Sequence, residues 1–543
     1  MHYLKQSLLL LALVFAHHVC ATECFDIVIY GGTSSGVIAA VQAARLGKSV
    51  ALIHPGKHLG GMTSSGLGWI DIGNPRSIGG LTKDFFHHIW LHYQNDVAWT
   101  WEDKHLMKIQ GDTNATNDTQ TMWVLEPHVA ESTFTTLCEH PNIIILYNER
   151  LNRRDGVTVN DATIQQIEMQ SGRIIQGKIY IDATYEGDLL AAAGVSYIIG
   201  REPNTLHHET MNGIRTNILR GDMPKRIDPY IIKGNPASGL LPRVYSHAQG
   251  PEGGGDTKLQ AYNFRMCLTD IPENRIFIEK PQDYNENDYE LVFRMIEGGL
   301  HKSRFFKLDL LPNRKTDSNN HGPVSTDYVG MNWDYVEADD VTRHNIALAH
   351  EKWQKGLVWT LQNHPRIPAP VQAYYAPWGL AKDEFIDNNH WPYQLYIREA
   401  RRMVADVVIT EHTALGHHKE NDSIGLGSYH IDSHAIKYFV AHDGFLVTDG
   451  CLYHKVSAPF PISYRTIIPK RTECNNLLVP ICLSATHAAY GSVRMEPVFM
   501  VLGQSAATAA SIAIDLNLAL QDVPYETLRA QLLKDKQIIN WPQ

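Results

Sequence analysis

His487, Tyr490 and Arg494 lie close together near the end of the chain. A histidine or a tyrosine can exchange a proton with a reacting molecule, and an arginine can hold a carboxylate or a developing negative charge. In a purely structural interpretation, the two rings pack against or cap a helix, and Arg494 pairs with Glu496 or another acid. The sequence predicts His487, Arg494 and Tyr490 as candidate catalytic residues if the fold places them beside a reactive group.

A second set of charged residues lies in the middle of the chain. Arg398 and Arg402 share a face if their segment is helical, and they would then grip an anionic substrate; alternatively, Glu399 pairs with Arg402 on a solvated helix. Asp432 and His434 share a face if their segment is extended. A metal site would need two further ligands that the sequence does not show, so we predict none.

The elements that would position a reactive group begin at the other end of the chain. Residues 31–36 read GGTSSG and follow the apolar segment 26–30. An alanine-rich helical segment, 37–46, and a second apolar segment, 49–54, come next. In this order of strand, glycine turn, helix and strand, backbone N–H groups and the helix dipole converge on a pyrophosphate. The pattern predicts a dinucleotide-binding unit rather than an ordinary glycine-rich loop.

Two residues depart from the usual dinucleotide pattern. The G-x-G-x-x-G template has a glycine where this chain has Thr33, and we expect the Thr33 hydroxyl to bond a phosphate oxygen. The second strand normally ends in an acidic residue that binds the ribose, and this chain has His54 there. A neutral imidazole nitrogen can accept a ribose hydroxyl, more weakly than a carboxylate does.

Two further segments favour FAD over NAD. Residues 182–188, which read DATYEGD, have the form of the acidic turn that returns to FAD in glutathione-reductase-like flavoproteins. Residues 491–510 are predicted as a helix whose N-terminus points at the flavin, and a simple NAD dehydrogenase requires neither feature. The predicted FAD-binding residues are Gly31, Gly32, Thr33, Ser34, Ser35, Gly36, His54, Gly60, Gly61, Met62, Asp182, Ala183, Thr184, Gly187, Asp188 and Gln504.

Five long runs carry a resemblance to a known family. They are HLGGMTSSGLGW (58–69), QAYNFRMCLT (260–269), QLYIREARRM (394–403), YHIDSH (429–434) and SATHAAYGSVRMEPVFMVLGQSAATAA (484–510). On these runs the chain resembles the FAD-dependent oxidoreductases, fumarate-reductase-like flavoproteins of which some are labelled "xanthan lyase". The resemblance covers nearly the whole mature chain and implies the glutathione-reductase-like fold with bound FAD. It leaves the substrate open.

We expect an α/β protein in which a glutathione-reductase-like FAD-binding Rossmann fold is interrupted by a mixed α+β substrate domain. The cofactor-domain pattern returns late, with an apolar segment at 476–483 and a small-residue helix at 495–516. The predicted parts are a signal peptide (1–21), the N-terminal part of the FAD-binding domain (22–200), the substrate or insertion domain (201–440), the C-terminal part of the FAD-binding domain (441–520) and a C-terminal tail helix (521–543).

The N-terminus has the pattern of a cleaved signal peptide. Lys5 precedes the apolar run 8–16, which is too short to span a bilayer, and Val19 and Ala21 fit the small-residue rule for cleavage. A disordered apolar tail is the alternative, and Val19 is a poor residue before a lipidated cysteine at Cys20. The pattern predicts a secreted or periplasmic protein.

The composition is that of an ordinary soluble globular protein. The 543 residues are 44% hydrophobic and 20% charged, with a formal net charge of -10, and no basic stripe is present. These values argue against a nucleic-acid partner, and we expect no membrane span in the mature chain. The expected partners are a small-molecule substrate and an electron acceptor that the sequence does not identify.

The leading functional hypothesis is a secreted FAD-dependent oxidoreductase that transfers hydride between flavin and a small organic substrate, a sugar derivative or a carboxylate. A redox-neutral lyase or isomerase that uses FAD on a carbohydrate is the first alternative. The second is a secreted flavin-binding protein without turnover, in which Thr33 and His54 have weakened cofactor binding.

Overall fold

The computed structural model describes residues 22–107, 116, 119–216, 223–224 and 226–542. The predicted signal peptide lies outside these residues. The strands described, β1 to β21 in chain order, are Glu23–Tyr30, Val50–His54, Ile143–Tyr147, Val157–Asn160, Thr163–Glu168, Ile174–Asp182, Tyr197–Ile198, Val244–Tyr245, Leu268–Thr269, Arg275–Ile276, Asp309–Leu311, Lys315–Asp317, Gly379–Ala381, Arg402–Met403, Ser423–Gly427, Ile431–Ser433, Lys437–Val440, Leu446–Asp449, Leu452–His454, Phe460–Ser463 and Leu477–Leu478. The α-helices described, α1 to α12, are Ser34–Arg45, Gly80–Gln94, Pro127–Leu137, Asp188–Ala192, Asn204–His207, Glu290–Glu297, Asp340–Asn363, Ala369–Tyr375, Glu411–Ala414, His487–Val493, Glu496–Leu516 and Tyr525–Lys534.

The main sheet is built from both ends of the chain. Its strand order is β3-β2-β1-β6-β5-β4, and β21 pairs with β6 as a further neighbour. β1, β2, β3, β6 and β21 run parallel, whereas β5 and β4 are joined antiparallel to the edge. The core strands β1 and β2 are continuous apolar runs because helices cover both faces of a parallel sheet. The sheet confirms the predicted α/β fold of the Rossmann type.

α1 and α11 pack closely because glycines lie where a side chain would not fit. A Cβ at Gly36 would lie 1.9 Å from the carbonyl oxygen of Gly31, and one at Gly503 would lie 2.3 Å from that of Ser35. α11 is long and apolar enough to cross a bilayer, but 89% of its apolar stretch is buried within the protein. It is therefore a core helix that fixes the position of α1.

Three predicted elements differ from the structure. The predicted helix 491–510 is split, because α10 ends at Val493 and α11 begins at Glu496. The predicted strand 476–483 is reduced to the two residues of β21. The prediction that Arg398 and Arg402 share a helix face is wrong, since their segment is extended and Arg402 lies in β14. Glu399 does pair with Arg402 at 2.9 Å, but both side chains are buried rather than solvated.

The middle of the chain forms smaller sheets and the long helix α7. A five-stranded antiparallel sheet has the order β10-β13-β9-β12-β11. Trp353 of α7 stacks between Tyr289 and Tyr328, with ring centroids 4.9 Å and 5.1 Å away. This stacking holds α7 in place, and the first turns of α7 cover one side of a groove beside the main sheet.

Candidate functional site

A groove of about 740 Å³ runs along the carboxyl ends of the parallel strands. It begins at Gly31 and Thr33, passes the end of β2 at His54, and is closed on the far side by α7. In open parallel sheets, ligands bind at the carboxyl ends of the strands, where the chain turns away on opposite faces. We call this cavity the cofactor groove.

The glycine turn lies against the residues that follow β6. Gly31 has a φ of +112°, and a Cβ there would lie 2.6 Å from the carbonyl carbon of Ala183. Thr33 is the N-cap of α1, and its hydroxyl accepts from the Gly36 N–H and donates at 2.7 Å to the Ala183 carbonyl. The single proton of the Thr33 hydroxyl is thus already donated to the Ala183 carbonyl. In this arrangement the backbone N–H groups of the turn are the donors that remain for a phosphate oxygen.

His54 contacts the glycine turn directly. Its Nδ1 accepts a hydrogen bond of 3.1 Å from the Gly32 N–H, and burial lowers the pKa of the ring to about 4. The ring is therefore neutral near pH 7, with its proton on Nε2. Because Nε2 carries the proton, it can only donate, so the neutral ring has no nitrogen left to accept a ribose hydroxyl as the sequence analysis expected.

Two predicted acidic residues hold the turn after β6. Asp182 accepts from the Thr184 N–H and hydroxyl, and burial raises its pKa to about 6. Asp188 forms buried ion pairs with Arg343 at 2.7 Å and Arg401 at 2.9 Å. Burial acts to raise the pKa of the Asp188 carboxyl, but the Arg343 guanidinium outweighs it and keeps that pKa below its usual value. Both carboxylates therefore bind other groups of the protein.

The predicted cofactor residues fall into three places. Gly31, Thr33, His54, Gly61, Thr184 and Asp188 line the cofactor groove. Directly behind that wall lie Gly32, Ser34, Ser35, Gly36, Gly60, Met62, Asp182, Ala183 and Gly187. Gln504 lies elsewhere, since its side chain accepts from the Leu81 N–H beside a different surface cleft.

Glu496 was missed by the sequence analysis except as a possible partner of Arg494. Its buried carboxylate accepts from Ser34 at 2.6 Å, Thr63 at 2.9 Å and Tyr185 at 2.8 Å. Burial raises the pKa of this carboxyl above its usual value. The signal in the sequence is an acidic residue at the start of an otherwise apolar helix. Its hydrogen bonds join α11 to α1, to the segment after β2 and to the turn after β6.

The chain matches a family model and is similar to several solved structures. A family model described as FAD dependent oxidoreductase matches residues 26–532. The chain belongs to this family. No curated protein matches the chain significantly. Among solved structures, L-proline dehydrogenase from P. horikoshii matches with 18% identity and a TM-score of 0.23, over 34% of this chain and 59% of its own. A probable FAD-dependent monooxygenase from Pseudomonas aeruginosa matches with 11% identity and a TM-score of 0.22, over 33% of this chain and 48% of its own.

The cofactor groove of this FAD-dependent oxidoreductase fits FAD. A dinucleotide needs a close backbone approach and cationic groups near its phosphates, and the turn at Gly31 supplies the first. Basic side chains that line the same groove are Lys57, Arg150 and Arg153. The turn, the N-terminus of α1 and His54 would hold the adenosine diphosphate half of FAD.

Two of the three candidate catalytic residues lie in the core. His487 bonds to Glu399 at 2.8 Å through Nδ1 and to the Ser433 hydroxyl at 3.1 Å through Nε2. The Tyr490 hydroxyl donates to the carbonyl of Ile481 at 3.1 Å. Both side chains are only 2% exposed, and neither lines the cofactor groove. Their positions match the structural interpretation better than a direct catalytic one.

Arg494 lies in a second cavity, of about 270 Å³, that we call the arginine pocket. Its guanidinium bonds to Asp432 at 3.0 Å and to the Tyr396 hydroxyl at 3.2 Å, so Arg494 does not pair with Glu496 as the structural interpretation supposed. The polar and charged side chains that line this pocket are Asp71, Arg265, Arg304, Lys307, Asn319, Asn320, His321, Tyr396, Tyr429, His430, Asp432, His434, Tyr453 and Arg494.

The cofactor groove and the arginine pocket share a wall. Phe264 and Leu395 line the groove, whereas the next residues in each segment, Arg265 and Tyr396, line the pocket. The two segments are bridged at Asn263 and Tyr396, and successive side chains of extended segments point to opposite sides. A molecule in the pocket therefore lies next to the part of the groove that Phe264 and Leu395 line.

Proposed function

We propose that this protein transfers hydride between bound FAD and a small organic acid or acidic sugar derivative that binds in the arginine pocket, and that it does so after export. The observation that carries this proposal is the state of Arg265. Its side chain is buried and paired through Nε and Nη2 with Asp317, at 2.6 Å and 2.5 Å. Its Nη1 donates to no acceptor among the described residues. A buried cationic donor without an acceptor at the wall of a cavity favours a bound anion.

The rest of the pocket supports a small, polar substrate. Lys307 and Arg304 add positive charge to that of Arg265 and Arg494, whereas Asp71 and Asp432 are the acids in the lining. The Tyr429 hydroxyl donates to Asp71 at 2.9 Å, so this pair can bind further hydroxyl groups. A volume near 270 Å³ suits a molecule of the size of a short-chain or sugar acid.

Bound FAD supplies the hydride acceptor or donor in such a reaction. The protein's own residues bind and orient the substrate: Arg265 and Arg494 hold its carboxylate, and the shared wall sets its distance from the groove. Arg494 is itself held by Asp432 and Tyr396, so its donors point in fixed directions. Fixed donors lose little freedom when the substrate binds.

The proposal of export rests on the N-terminal pattern alone. Lys5, the short apolar run 8–16 and the small residues Val19 and Ala21 support a signal peptide that is cleaved after Ala21. N-terminal sequencing of protein isolated from its native host should begin at Thr22. An intact Met1 on material from the cytoplasm would contradict it.

The substrate class can be tested by anaerobic bleaching of the bound flavin. A panel would compare hydroxy acids and sugar acids with neutral sugars of the same size. Arg265→Lys keeps the charge but loses the fork geometry, so it should raise the KM for acids by about 10- to 100-fold, the equivalent of one or two charged hydrogen bonds. Arg45→Lys, on the surface, is the matched control. Faster bleaching by neutral sugars would contradict an acidic substrate, and a product at the substrate's own oxidation level would favour a lyase or isomerase.

A further inference from the structure

His434 stands at the junction of two cavities. It lines the arginine pocket and also a smaller chamber of about 80 Å³, whose walls include Pro323, Val329 and Val447. The arginine pocket carries the fixed cations, and the smaller chamber combines these apolar side chains with polar ones such as Ser325 and Thr448. A substrate with its carboxylate on the arginines and its remaining carbon atoms towards the chamber would pass beside the imidazole.

The ring of His434 is oriented by a buried carboxylate. Its Nδ1 lies 2.8 Å from Asp327 Oδ2, and the other oxygen of Asp327 lies 2.9 Å from the guanidinium of Arg398. The side chains of Asp327 and Arg398 are 4% and 0% exposed, so this pair is fixed inside the protein. Burial acts to raise the pKa of Asp327, but Arg398 and then His434 outweigh it, and the pKa lies below its usual value.

The ionised Asp327 keeps a proton on Nδ1 of His434, because a carboxylate can only accept. In the neutral ring, Nε2 is therefore the basic nitrogen. Nε2 lies in the wall of the arginine pocket, 3.3 Å from Asp432 Oδ2, the same oxygen that Arg494 binds at 3.0 Å, so the proton that Nε2 gains can be donated to Asp432. Nε2 of His434 and the guanidinium of Arg494 thus both contact Asp432, and one small molecule in the pocket can reach both groups.

We propose that His434 is the catalytic residue that takes the hydroxyl proton of a small hydroxy acid bound in the arginine pocket, with Asp327 as its positioning residue. This inference rests on the proposed function and adds the base and the reacting group. When the alcohol carbon is oxidised, its C–H bond breaks and the hydride carries both electrons to the bound flavin. The O–H bond breaks as its proton passes to Nε2 of His434, and the oxygen's electron pair forms the C=O bond of a keto acid.

Two variants test the role of the ring. His434→Asn keeps a donor for Asp327 but has no atom at the position of Nε2, so flavin reduction by a hydroxy acid should slow by about 10²- to 10⁴-fold. Binding of the corresponding acid without the hydroxyl group, measured by calorimetry, should change less than about threefold, because the arginines are untouched. His418→Asn, a histidine that is exposed and paired with Glu420, is the matched control.

Asp327→Asn tests the positioning residue with a readout that needs no turnover. In protein with 15N-labelled histidine, the Nδ1–H that bonds to Asp327 should give a far-downfield proton signal, which both His434→Asn and Asp327→Asn should remove. Asp327→Asn should also slow flavin reduction by at least 10²-fold, since its amide group can donate to Nδ1 and leave the ring proton on Nε2. Flavin content and Tm show whether either variant has failed to fold.

The outcomes separate this inference from the proposed function. If wild-type holoprotein is bleached by no hydroxy acid, both the substrate class and the role of His434 are overturned. If a hydroxy acid bleaches the wild type and His434→Asn reacts within threefold of that rate, only the inference about His434 is overturned. If His434→Asn loses both analogue binding and flavin reduction, His434 acts in substrate binding instead of proton transfer. That result would also overturn the inference.

Discussion

The carboxylate of Glu496 accepts a hydrogen bond of 2.6 Å from the hydroxyl of Ser34, a residue 462 positions earlier in the chain. Ser34 opens α1 and Glu496 opens α11, so this bond joins the N-termini of two helices that begin beside the cofactor groove. The same carboxylate also accepts from Thr63 and Tyr185. A single buried acid therefore joins the first, the returning and the last parts of the FAD-binding unit.

Replacing Glu496 with alanine should leave three buried hydroxyl groups without their acceptor. Each unsatisfied group costs about 1–3 kcal/mol, so we expect a loss of about 2–5 kcal/mol in the free energy of unfolding after relaxation. Denaturation of the apoprotein by urea measures this loss. Glu526→Ala, an exposed residue of the tail helix α12, is the control and should change stability by less than about 0.5 kcal/mol. Equal stability of the two variants would show that the Glu496 contacts contribute little.

Replacing Gly36 with alanine should empty the cofactor groove. The new Cβ would lie 1.9 Å from the carbonyl oxygen of Gly31, so the turn must move away from its position for phosphate binding. We expect at least a tenfold loss of FAD occupancy in purified protein, measured by the ratio of visible to ultraviolet absorbance. Gly47→Ala is the control: its φ is +78° but nothing lies within 4 Å, so it should lose about 1 kcal/mol of stability and keep FAD.

His487→Ala should lower stability without slowing the flavin chemistry. The substitution leaves the buried Glu399 without the His487 partner that lies 2.8 Å away, so we expect a loss of about 2–4 kcal/mol. Flavin reduction in the holoprotein that remains should stay within threefold of the wild-type rate. The reverse result, an unchanged Tm with a rate lowered about 10²- to 10⁴-fold, would restore His487 as a proton-transfer residue.

The contribution of His54 to the stability of the apoprotein should fall as the pH drops from about 6.5 to about 4. Burial lowers the pKa of His54 from 6.5 to about 4 in the folded protein, whereas the unfolded chain has the ordinary value. The unfolded state therefore binds more protons in this range, and its share grows as the pH falls. His54→Asn keeps an acceptor for the Gly32 N–H but cannot titrate, so the slope of unfolding free energy against pH should decrease. Parallel curves for the two proteins would contradict a buried, neutral His54.

The features that the sequence predicted correctly are local. The strand, the glycine turn and the helix around Gly31 are determined by residues close together in sequence, so one short segment is enough to predict them. Ion-pair partners that are distant in sequence could not be predicted. Arg494 lies near Glu496 in sequence, but its carboxylate partner is Asp432, 62 positions away. The direction of the His54 proton likewise follows from Gly32 on another element.

The segment around Arg398 shows a second limit. The i, i+4 spacing of Arg398 and Arg402 is typical of a helix face, yet each arginine is buried with an acid from a distant part of the chain, Asp327 for Arg398 and Glu202 for Arg402. A buried charge requires such partners, and the extended backbone directs the side chains to them. Periodicity alone cannot distinguish this arrangement from a solvated helix.

The buried pair of Asp188 and Arg343 also limits how the groove can widen. Arg343 belongs to α7, which covers one side of the groove, and Asp188 begins α4, so the pair joins these two elements. Moving α7 away would separate two buried charges, which is strongly unfavourable. We therefore expect this side of the groove to stay in place when the cofactor binds.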